Sequence, residues 1–227
     1  MNKNSLLWLT VMLLFVGIGG YWSYHHEQEM QTKAPPQMNV QQKKGRFIAL
    51  MVPAVSDVYQ RLLRRYVAVE EMLRTGVHRQ RIIDLKQEYG VASDAELLAA
   101  IKPHPCSITL AQAALESNWA TSRFFMQANN VFGIWSFDAG EPRLAAGKKR
   151  GTKTIWVKKY SSIQASIEDY YRLLGRGGAF AEFRREKMVT DDPFRLIQKL
   201  DHYSERGAAY CSEVALVLKH NNFTRYD

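Results

Sequence analysis

The chain has 227 residues, which predicts one domain with additional segments, and its hydrophobic content of 46% is sufficient for a packed core. The net charge of +9 at pH 7 favours an anionic partner. The six histidines are scattered, and none pairs with Cys, Asp or Glu at the spacing of metal ligands, so the sequence predicts no metal site. It also lacks a G-x-S-x-G motif and a glycine-rich phosphate loop, which argues against a Ser-His-Asp hydrolase and a phosphate-binding site.

The N-terminal part predicts a membrane segment followed by a linker. Residues 6–24 carry no charge, are mostly apolar, and as a helix would span roughly the 30 Å hydrocarbon core of a bilayer. Aromatic residues at the end of this segment favour an uncleaved anchor in residues 1–24 over the alternative, a cleavable signal peptide. Lys3 before the segment indicates that the N-terminus stays inside, and in either case the rest of the chain is exported. Residues 25–45 are rich in glutamine and predict a flexible tether.

The remaining residues, 46–227, predict a single domain made mostly of helices. A helical lead-in covers 46–105, a central helix and a hairpin cover 106–160, and C-terminal helices cover 161–227. The lead-in carries an arginine-rich face that could contact an anionic polymer, although a solvated helix face is the favoured interpretation.

The clearest helical pattern lies in residues 110–124. Ser107 is suited to cap the helix, and its apolar positions form one stripe, namely Ile108, Ala111, Leu115 and Trp119. Glu116 has small apolar residues and an indole one turn away, and no Lys or Arg at that distance. Because desolvation raises the pKa of a carboxyl, this environment is typical of a general acid that keeps its proton near neutral pH.

After residue 130 the pattern changes to that of strands. Residues 131–137 and 152–160 alternate and are rich in aromatic and β-branched side chains, and the turn-rich segment 138–151 connects them. We therefore predict a small β-hairpin lobe. Its aromatic residues could line a binding surface or hold the hairpin together, and the sequence leaves both open: Trp135, Phe137, Trp156 and Tyr160.

The run A-Q-A-A-L-E-S-N-W-A-T-S, followed by N-N-V-F-G-I from residue 129, closely resembles the bacterial glucosaminidases of glycoside hydrolase family 73. The string S-S-I-Q-A-S-I-E-D-Y from residue 161 resembles a further stretch of that family, and Y-S-E-R-G-A-A-Y from residue 203 resembles its Bax-type form. The resemblance covers roughly residues 46–227. It implies a mainly α, lysozyme-like helical domain with a small β-hairpin lobe, preceded here by the N-terminal anchor.

The resemblance also implies site residues. Glu116 is expected to be the catalytic acid, and Tyr203 corresponds to a tyrosine of the family's active site. Residues of the matched motifs and of the aromatic set are the expected substrate-binding residues: Trp119, Asn129, Asn130, Phe132, Trp135 and Tyr160. Without the resemblance, the sequence favours Tyr203 as a half-buried tyrosine at a helix junction.

One part of the family pattern is missing. Glycosidases generally use two carboxyl groups, and the family usually places the second in a T-x-E string on the hairpin. The comparable string, T-K-T-I from residue 152, has no acid, so Asp138 and Glu141 in the connection are the candidates. Either one could activate a water molecule, or the N-acetyl group of the substrate could attack with help from Tyr203. The sequence leaves both mechanisms open.

The expected function is that of an endo-β-N-acetylglucosaminidase, which cleaves the β-1,4 bond after N-acetylglucosamine in peptidoglycan. The alternatives are a lytic transglycosylase or muramidase on the same polymer, or an inactive wall-binding module. The expected partners are peptidoglycan glycan strands and, through the N-terminal segment, the inner membrane, without a cofactor and without nucleic acid. The expected location is the periplasm, anchored to the inner membrane, or exported if the segment is cleaved. Cys106 and Cys211 could form a disulfide or remain buried thiols.

Overall fold

The computed structural model describes residues 38–150 and 153–227, and the side chains of these residues except 148–150 and 153. The predicted anchor, residues 1–24, and the tether up to residue 37 lie outside the described residues. Within the described part, no helix is long and apolar enough to cross a membrane.

The described chain is mainly helical, with one small sheet, as the sequence predicts. Its elements in order are α1 (Val40–Thr75), α2 (Arg79–Tyr89), α3 (Asp94–Ile101), α4 (Cys106–Glu116), α5 (Arg123–Ala128), β1 (Arg143–Arg150), β2 (Lys153–Lys158), α6 (Ile163–Arg176), α7 (Ala181–Glu186), α8 (Pro193–Ile197) and α9 (Ala208–His220). Short 3₁₀ turns cover Gly178–Phe180, Asp201–Tyr203 and Phe223–Tyr226.

Helix α1 extends the domain toward the N-terminus. It begins at Val40, so the last residues of the predicted tether, 25–45, are helical rather than flexible. Its buried positions recur at helical spacing and pack into the main core: Phe47, Met51, Ala54, Val55 and Val58. Farther along, Val69 joins a second cluster with residues of α2 and α3, including Leu85 and Leu97. The helical lead-in therefore forms part of the folded domain.

Helix α4 lies at the centre of the main core. Its residues from Cys106 to Ala114 are all buried, and it packs against α1, α9 and the 3₁₀ turn Phe223–Tyr226. The predicted cap at Ser107 is wrong, because the backbone N–H of Ser107 donates instead to Asp227 Oδ1 at 2.7 Å. Cys106 and Cys211 are buried free thiols, which is one of the two states that the sequence leaves open.

The helix also ends earlier than predicted. The sequence pattern suggests a helix through residue 124, whereas α4 stops at Glu116. The next turn is left-handed, with φ of 49° at Asn118, 60° at Trp119 and 61° at Ala120. Ser117 holds this turn, because its Oγ accepts a hydrogen bond from the backbone N–H of Ala120 at 2.8 Å. Glu116 therefore occupies the last position of a buried helix.

The hairpin exists, but one of its strands differs from the predicted one. Strands β1 and β2 pair antiparallel, with Leu144 opposite Val157 and an irregularity between Ala145 and Lys149. Strand β1 comes from the segment predicted as the connection, 138–151. Residues 131–137, predicted as a strand, are irregular apart from an isolated bridge between Trp135 and Val157.

Candidate active site

A cleft of about 600 Å³ opens beside the end of helix α4. Glu116 and Tyr203 contribute to one part of its lining, and the irregular segment after α5 contributes Phe132 and Trp135. Helix α6 contributes charged side chains, including Asp169. The end of α4, the 3₁₀ turn before α9, the segment after α5 and helix α6 therefore converge on one concave surface.

Glu116 is partly buried at the edge of this cleft. Its Oε1 accepts a hydrogen bond from the Tyr210 hydroxyl at 2.9 Å. Burial raises the pKa of Glu116, whereas the Tyr210 hydrogen bond and the charge of Arg206 oppose that rise in pKa. Because the net direction is upward, the carboxyl keeps its proton to a higher pH than an exposed glutamate does.

Tyr203 lies beside Glu116, at the end of the 3₁₀ turn before α9. Its ring stacks on Tyr210, with centroids 5.5 Å apart and an interplanar angle of 12°, and it meets Tyr170 edge-on. Burial, and then the nearby charge of Glu116, raise the pKa of the Tyr203 hydroxyl well above its usual value. Tyr203 therefore presents a neutral hydroxyl in the lining of the cleft.

Another wall of the cleft is formed by the N-N-V-F-G-I segment and the residues that follow it. Phe132 is buried and stacks on Tyr170, with centroids 4.0 Å apart, whereas Trp135 is 42% exposed. Gly133 has φ of +66°, a conformation that glycine adopts without strain, and the chain turns there along the cleft. These residues supply an apolar surface, and the ring of Phe137, which is 88% exposed and 6.2 Å from that of Trp135, adds a second exposed ring to the lining.

Asn130 fixes this wall rather than lining the cleft. Its side-chain amide donates to the carbonyls of Ile134 at 3.0 Å and Lys158 at 2.9 Å. Its Oδ1 accepts from the backbone N–H of Ile134 at 3.1 Å. The backbone around Trp135 also pairs with β2, since the Ser136 N–H donates to the carbonyl of Trp156 at 2.8 Å and the Lys158 N–H to that of Ile134 at 3.0 Å. Asn130 therefore adds side-chain hydrogen bonds that fix the start of this short bridge.

The other predicted substrate-binding residues are not among those lining this cleft. Trp119 packs edge-on against Phe47, with centroids 5.2 Å apart. Asn129 ends α5 in a left-handed conformation, and its amide donates to the carbonyl of Tyr160 at 3.0 Å. The Tyr160 hydroxyl donates to Asp169 at 2.7 Å, and Tyr160 itself lines a neighbouring depression rather than the Glu116 cleft. These three side chains hold the surrounding framework together.

Neither of the two candidates for the second carboxyl is among the residues that line the Glu116 cleft. Asp138 is exposed, and its Oδ1 accepts from the backbone N–H of Gly140 at 2.8 Å, so it forms a turn outside the cleft. Glu141 lies in a neighbouring depression, with an oxygen 3.8 Å from Lys158 Nζ. The acid that does line the Glu116 cleft is Asp169, which the sequence reasoning missed. Asp169 belongs to the S-I-E-D-Y string, which matches the family pattern and predicts a helix. That match is the sequence signal that could have pointed to Asp169.

Asp169 is held by two donors. Lys158 Nζ lies 3.0 Å from Oδ2, and the Tyr160 hydroxyl donates to the same oxygen at 2.7 Å. Arg172 and Arg176, farther along α6, also line the cleft. The α6 side of the cleft is therefore mainly cationic.

Comparison with known proteins identifies the family. The model of the glucosaminidase family, described as mannosyl-glycoprotein endo-beta-N-acetylglucosaminidase, matches residues 92–223, which is more than half of the chain. The chain belongs to the glucosaminidase family. The resemblance stated from the sequence is thereby confirmed.

Three relatives show how far this glucosaminidase domain is shared. Protein bax of Escherichia coli K12 is 27% identical over 146 residues, which are 58% of this chain and 51% of that protein. Exo-glucosaminidase LytG of Bacillus subtilis 168 is 38% identical over 76 residues, which are 31% of this chain and 27% of that protein. The chain thus spans about half or less of these relatives. The catalytic domain of the autolysin Auto from Listeria monocytogenes shares the fold, with a TM-score of 0.53 at 18% identity over 89% of this chain and 97% of that one.

Among the described residues, no group of three or more His, Cys, Asp or Glu side chains is placed to hold a metal ion. The groups in the lining of the cleft that can take part in chemistry include Glu116, Tyr203 and the charged residues of α6.

Proposed function

We propose that the protein is a peptidoglycan glycosidase that cleaves the β-1,4 bond after N-acetylglucosamine within glycan strands, with Glu116 as the general acid. The single observation that carries this proposal is the placement of Glu116 at the end of a buried helix, in the lining of a cleft of about 600 Å³. Burial raises the pKa of Glu116, so the side chain keeps its proton to a higher pH than an exposed glutamate does, as a general acid requires.

In the proposed reaction, the Glu116 proton passes to the bridging oxygen as the bond from that oxygen to the sugar C1 breaks. Positive charge develops on the sugar ring, and a second group must stabilise it or supply a nucleophile. Tyr203 presents its hydroxyl from the same part of the lining as Glu116, where it can donate a hydrogen bond to a reacting group.

The surroundings of Asp169 favour a substrate-assisted route over direct activation of water. Lys158 and the Tyr160 hydroxyl both bind Asp169 Oδ2, so this carboxylate is engaged and poorly placed to act as a base. The carbonyl oxygen of the substrate's N-acetyl group then attacks C1, and water opens the resulting ring in a second step. Tyr203 orients the N-acetyl group in this scheme.

The lining of the cleft supports a glycan with anionic substituents as the substrate. The exposed ring of Trp135 offers a face on which a sugar can stack, beside the apolar surface of Phe132. Arg172 and Arg176 lie in the same cleft and suit the carboxylates of peptide stems. The net charge of +9 points to the same kind of polymer.

A second candidate function is that of a lytic transglycosylase. It is favoured by the lack of a free second carboxyl in the described part of the cleft. Asp169 is bound by two donors, and Asp138 and Glu141 are not among the lining residues. A transglycosylase needs one acid and no second base for water, and it leaves 1,6-anhydro ends. A muramidase would cut the other glycosidic bond of the same strand.

For the location, we propose that the domain works in the periplasm and is tied to the inner membrane by residues 1–24. The uncharged apolar stretch 6–24 supports this proposal. Membrane fractionation tests it: the full chain should sediment with inner membranes, and a variant lacking residues 1–24 should not. A full chain found in the soluble fraction would contradict the anchor.

Product analysis on purified sacculi tests the proposed reaction. We expect soluble muropeptides with N-acetylglucosamine at their reducing ends, identified by borohydride reduction and mass spectrometry. N-acetylmuramic acid at those ends would indicate a muramidase, and 1,6-anhydro ends would indicate a transglycosylase. Binding to sacculi without any soluble product would indicate a wall-binding module and contradict the proposal.

A further inference from the structure

A chain of buried hydrogen bonds leads from Glu116 into the core. The Tyr210 hydroxyl contacts Glu116 Oε1 at 2.9 Å, and Gln112 Nε2 donates to that hydroxyl at 2.8 Å. Gln112 Oε1 in turn accepts from the Tyr170 hydroxyl, whose oxygen lies 3.2 Å from His104 Nε2. Gln112 lies one helical turn before Glu116 on α4, so the Tyr210 hydroxyl bridges two side chains of the same helix.

The protons in this chain have a defined direction. The Thr109 hydroxyl, 3.1 Å from His104 Nε2, donates to Tyr171 at 2.9 Å, and the Tyr170 hydroxyl donates to Gln112. Both hydroxyls next to Nε2 have therefore used their only proton elsewhere, so Nε2 must carry the imidazole hydrogen. Burial, and then the charge of Lys187, lower the pKa of His104 well below its usual value, which leaves a neutral ring with one N–H.

The opposite direction of the hydrogen bonds, with Glu116 as the first donor, is disfavoured at the His104 end. If Glu116 donated to Tyr210 and each later donor turned round, His104 Nε2 would accept from Tyr170 and its proton would move to Nδ1. Nδ1 is buried and has no hydrogen-bond partner among the described residues. A buried N–H without an acceptor is rarely tolerated, so the interior of the protein selects the direction in which every donor points toward Glu116.

We propose that Tyr210 is a positioning residue for Glu116: its hydroxyl proton, directed by Gln112, binds Oε1 and leaves Oε2 as the oxygen that carries the acid proton into the cleft. This inference rests on the proposed function, because it assumes that Glu116 is the proton donor. Its content is separate, since it names the groups that decide which oxygen holds the proton. Tyr210 is not among the residues that line the cleft, and its ring also stacks on Tyr203, a contact that Tyr210→Phe keeps.

The same hydrogen bond has a consequence for the reaction rate. When Glu116 gives up its proton, negative charge develops on the carboxylate, and a hydrogen bond to a charged acceptor is stronger than one to a neutral acceptor. Removing the Tyr210 hydroxyl should therefore slow the chemical step by roughly 10- to 100-fold, which corresponds to the loss of one hydrogen bond to a charged group.

The pH profile provides a readout that a purely structural role would not move. The Tyr210 hydrogen bond lowers the pKa of Glu116, as does the charge of Arg206, whereas burial and the charge of Glu213 raise it. Tyr203 also faces Glu116, with a hydroxyl that stays neutral. Without the Tyr210 hydroxyl the pKa of Glu116 rises further, so the alkaline limb of the kcat profile should move to higher pH.

The test compares the full chain carrying Tyr210→Phe with the wild type and with Tyr89→Phe. Tyr89 is also a buried tyrosine, and its hydroxyl contacts Arg65 at 3.4 Å, far along the chain from Glu116. We expect Tyr210→Phe to lower kcat by roughly 10- to 100-fold and to shift the alkaline limb upward. Tyr89→Phe should leave both unchanged. Equal profiles for the two variants would overturn the inference.

A second variant serves if Tyr210→Phe does not fold. Replacing Tyr210 by 3-fluorotyrosine keeps the hydroxyl and makes it a stronger donor, so the alkaline limb should move to lower pH. An unchanged limb, or a shift to higher pH, would overturn the inference. Glu116→Gln separates the two proposals: if it stays active, the proposed function itself fails, whereas an inactive Glu116→Gln with an unaffected Tyr210→Phe refutes only the role of Tyr210.

Discussion

Replacing Asn130 by alanine should destabilise the domain and open the wall of the cleft. The substitution removes two hydrogen bonds donated by the Asn130 amide and one accepted by its Oδ1. Each is worth roughly 1 kcal/mol net, so the loss amounts to about 3 kcal/mol. For a domain of this size about 2–4 °C of melting temperature accompanies each kcal/mol, which predicts a decrease of about 6–12 °C.

The matched control for this prediction is the neighbouring Asn129. Asn129→Gly keeps the left-handed backbone, φ 49°, and removes one hydrogen bond, to the carbonyl of Tyr160. It should cost about 1 kcal/mol or less. Thermal unfolding followed by circular dichroism, together with urea titration, gives both free energies of unfolding. Equal losses for the two variants would refute the claim that Asn130 clamps the segment between α5 and the hairpin.

Three further predictions concern the cleft and the core. Asp169→Asn should lower the free energy of unfolding by about 2 kcal/mol, because Lys158 and Tyr160 lose a charged acceptor. The control Asp138→Asn should leave the free energy of unfolding unchanged, and urea titration measures both. Trp135→Ala should raise KM on soluble glycan fragments about 10-fold with kcat nearly constant, and a fall in kcat alone would contradict a stacking role. Burial lowers the pKa of Lys187 to about 7. Between pH 7 and the usual lysine pKa, Lys187 is therefore protonated in the unfolded chain and neutral in the folded one, so the free energy of unfolding should rise with pH across that window. Lys187→Met should lack this rise in unfolding titrations, and a parallel rise in the variant would contradict the assignment.

Much of the candidate site follows from local sequence. Glu116 is singled out by its small apolar neighbours on the helix and by its motif, whereas Tyr210 and Arg206, which act on its carboxyl, come from distant parts of the chain. The helical lead-in is likewise recognisable from apolar spacing, since its buried face recurs along one helix, α1.

The early end of helix α4 could not be read from the sequence. The string S-N-W-A contains neither glycine nor proline, and a left-handed conformation at Trp119 and Ala120 is unfavourable for an isolated chain. Tertiary contacts help to hold it, through the Trp119 ring against Phe47 and a hydrogen bond from the Arg46 guanidinium to the carbonyl of Ala120 at 2.8 Å. Such contacts join distant segments and leave no local pattern.

The hairpin and Asp169 illustrate the same limit. Residues 131–137 alternate as a strand does, but their pairing with β2 is a short bridge around Trp135, and the side chain of Asn130 holds the residues just before it. Asp169 belongs to an ordinary helix, and it becomes part of the cleft only because α6 packs beside the segment that carries Phe132. Its role could be seen once the elements were placed in space.

The central claim, that Glu116 supplies the proton for cleavage, is tested most directly by Glu116→Gln, which keeps the shape of the side chain and removes the acid. Release of soluble muropeptides from purified sacculi should fall by at least about 1,000-fold, while binding to sacculi and the melting temperature of the variant are preserved. Release by the variant within about 10-fold of the wild type would contradict the account, because general acid catalysis by Glu116 could not then carry the reaction.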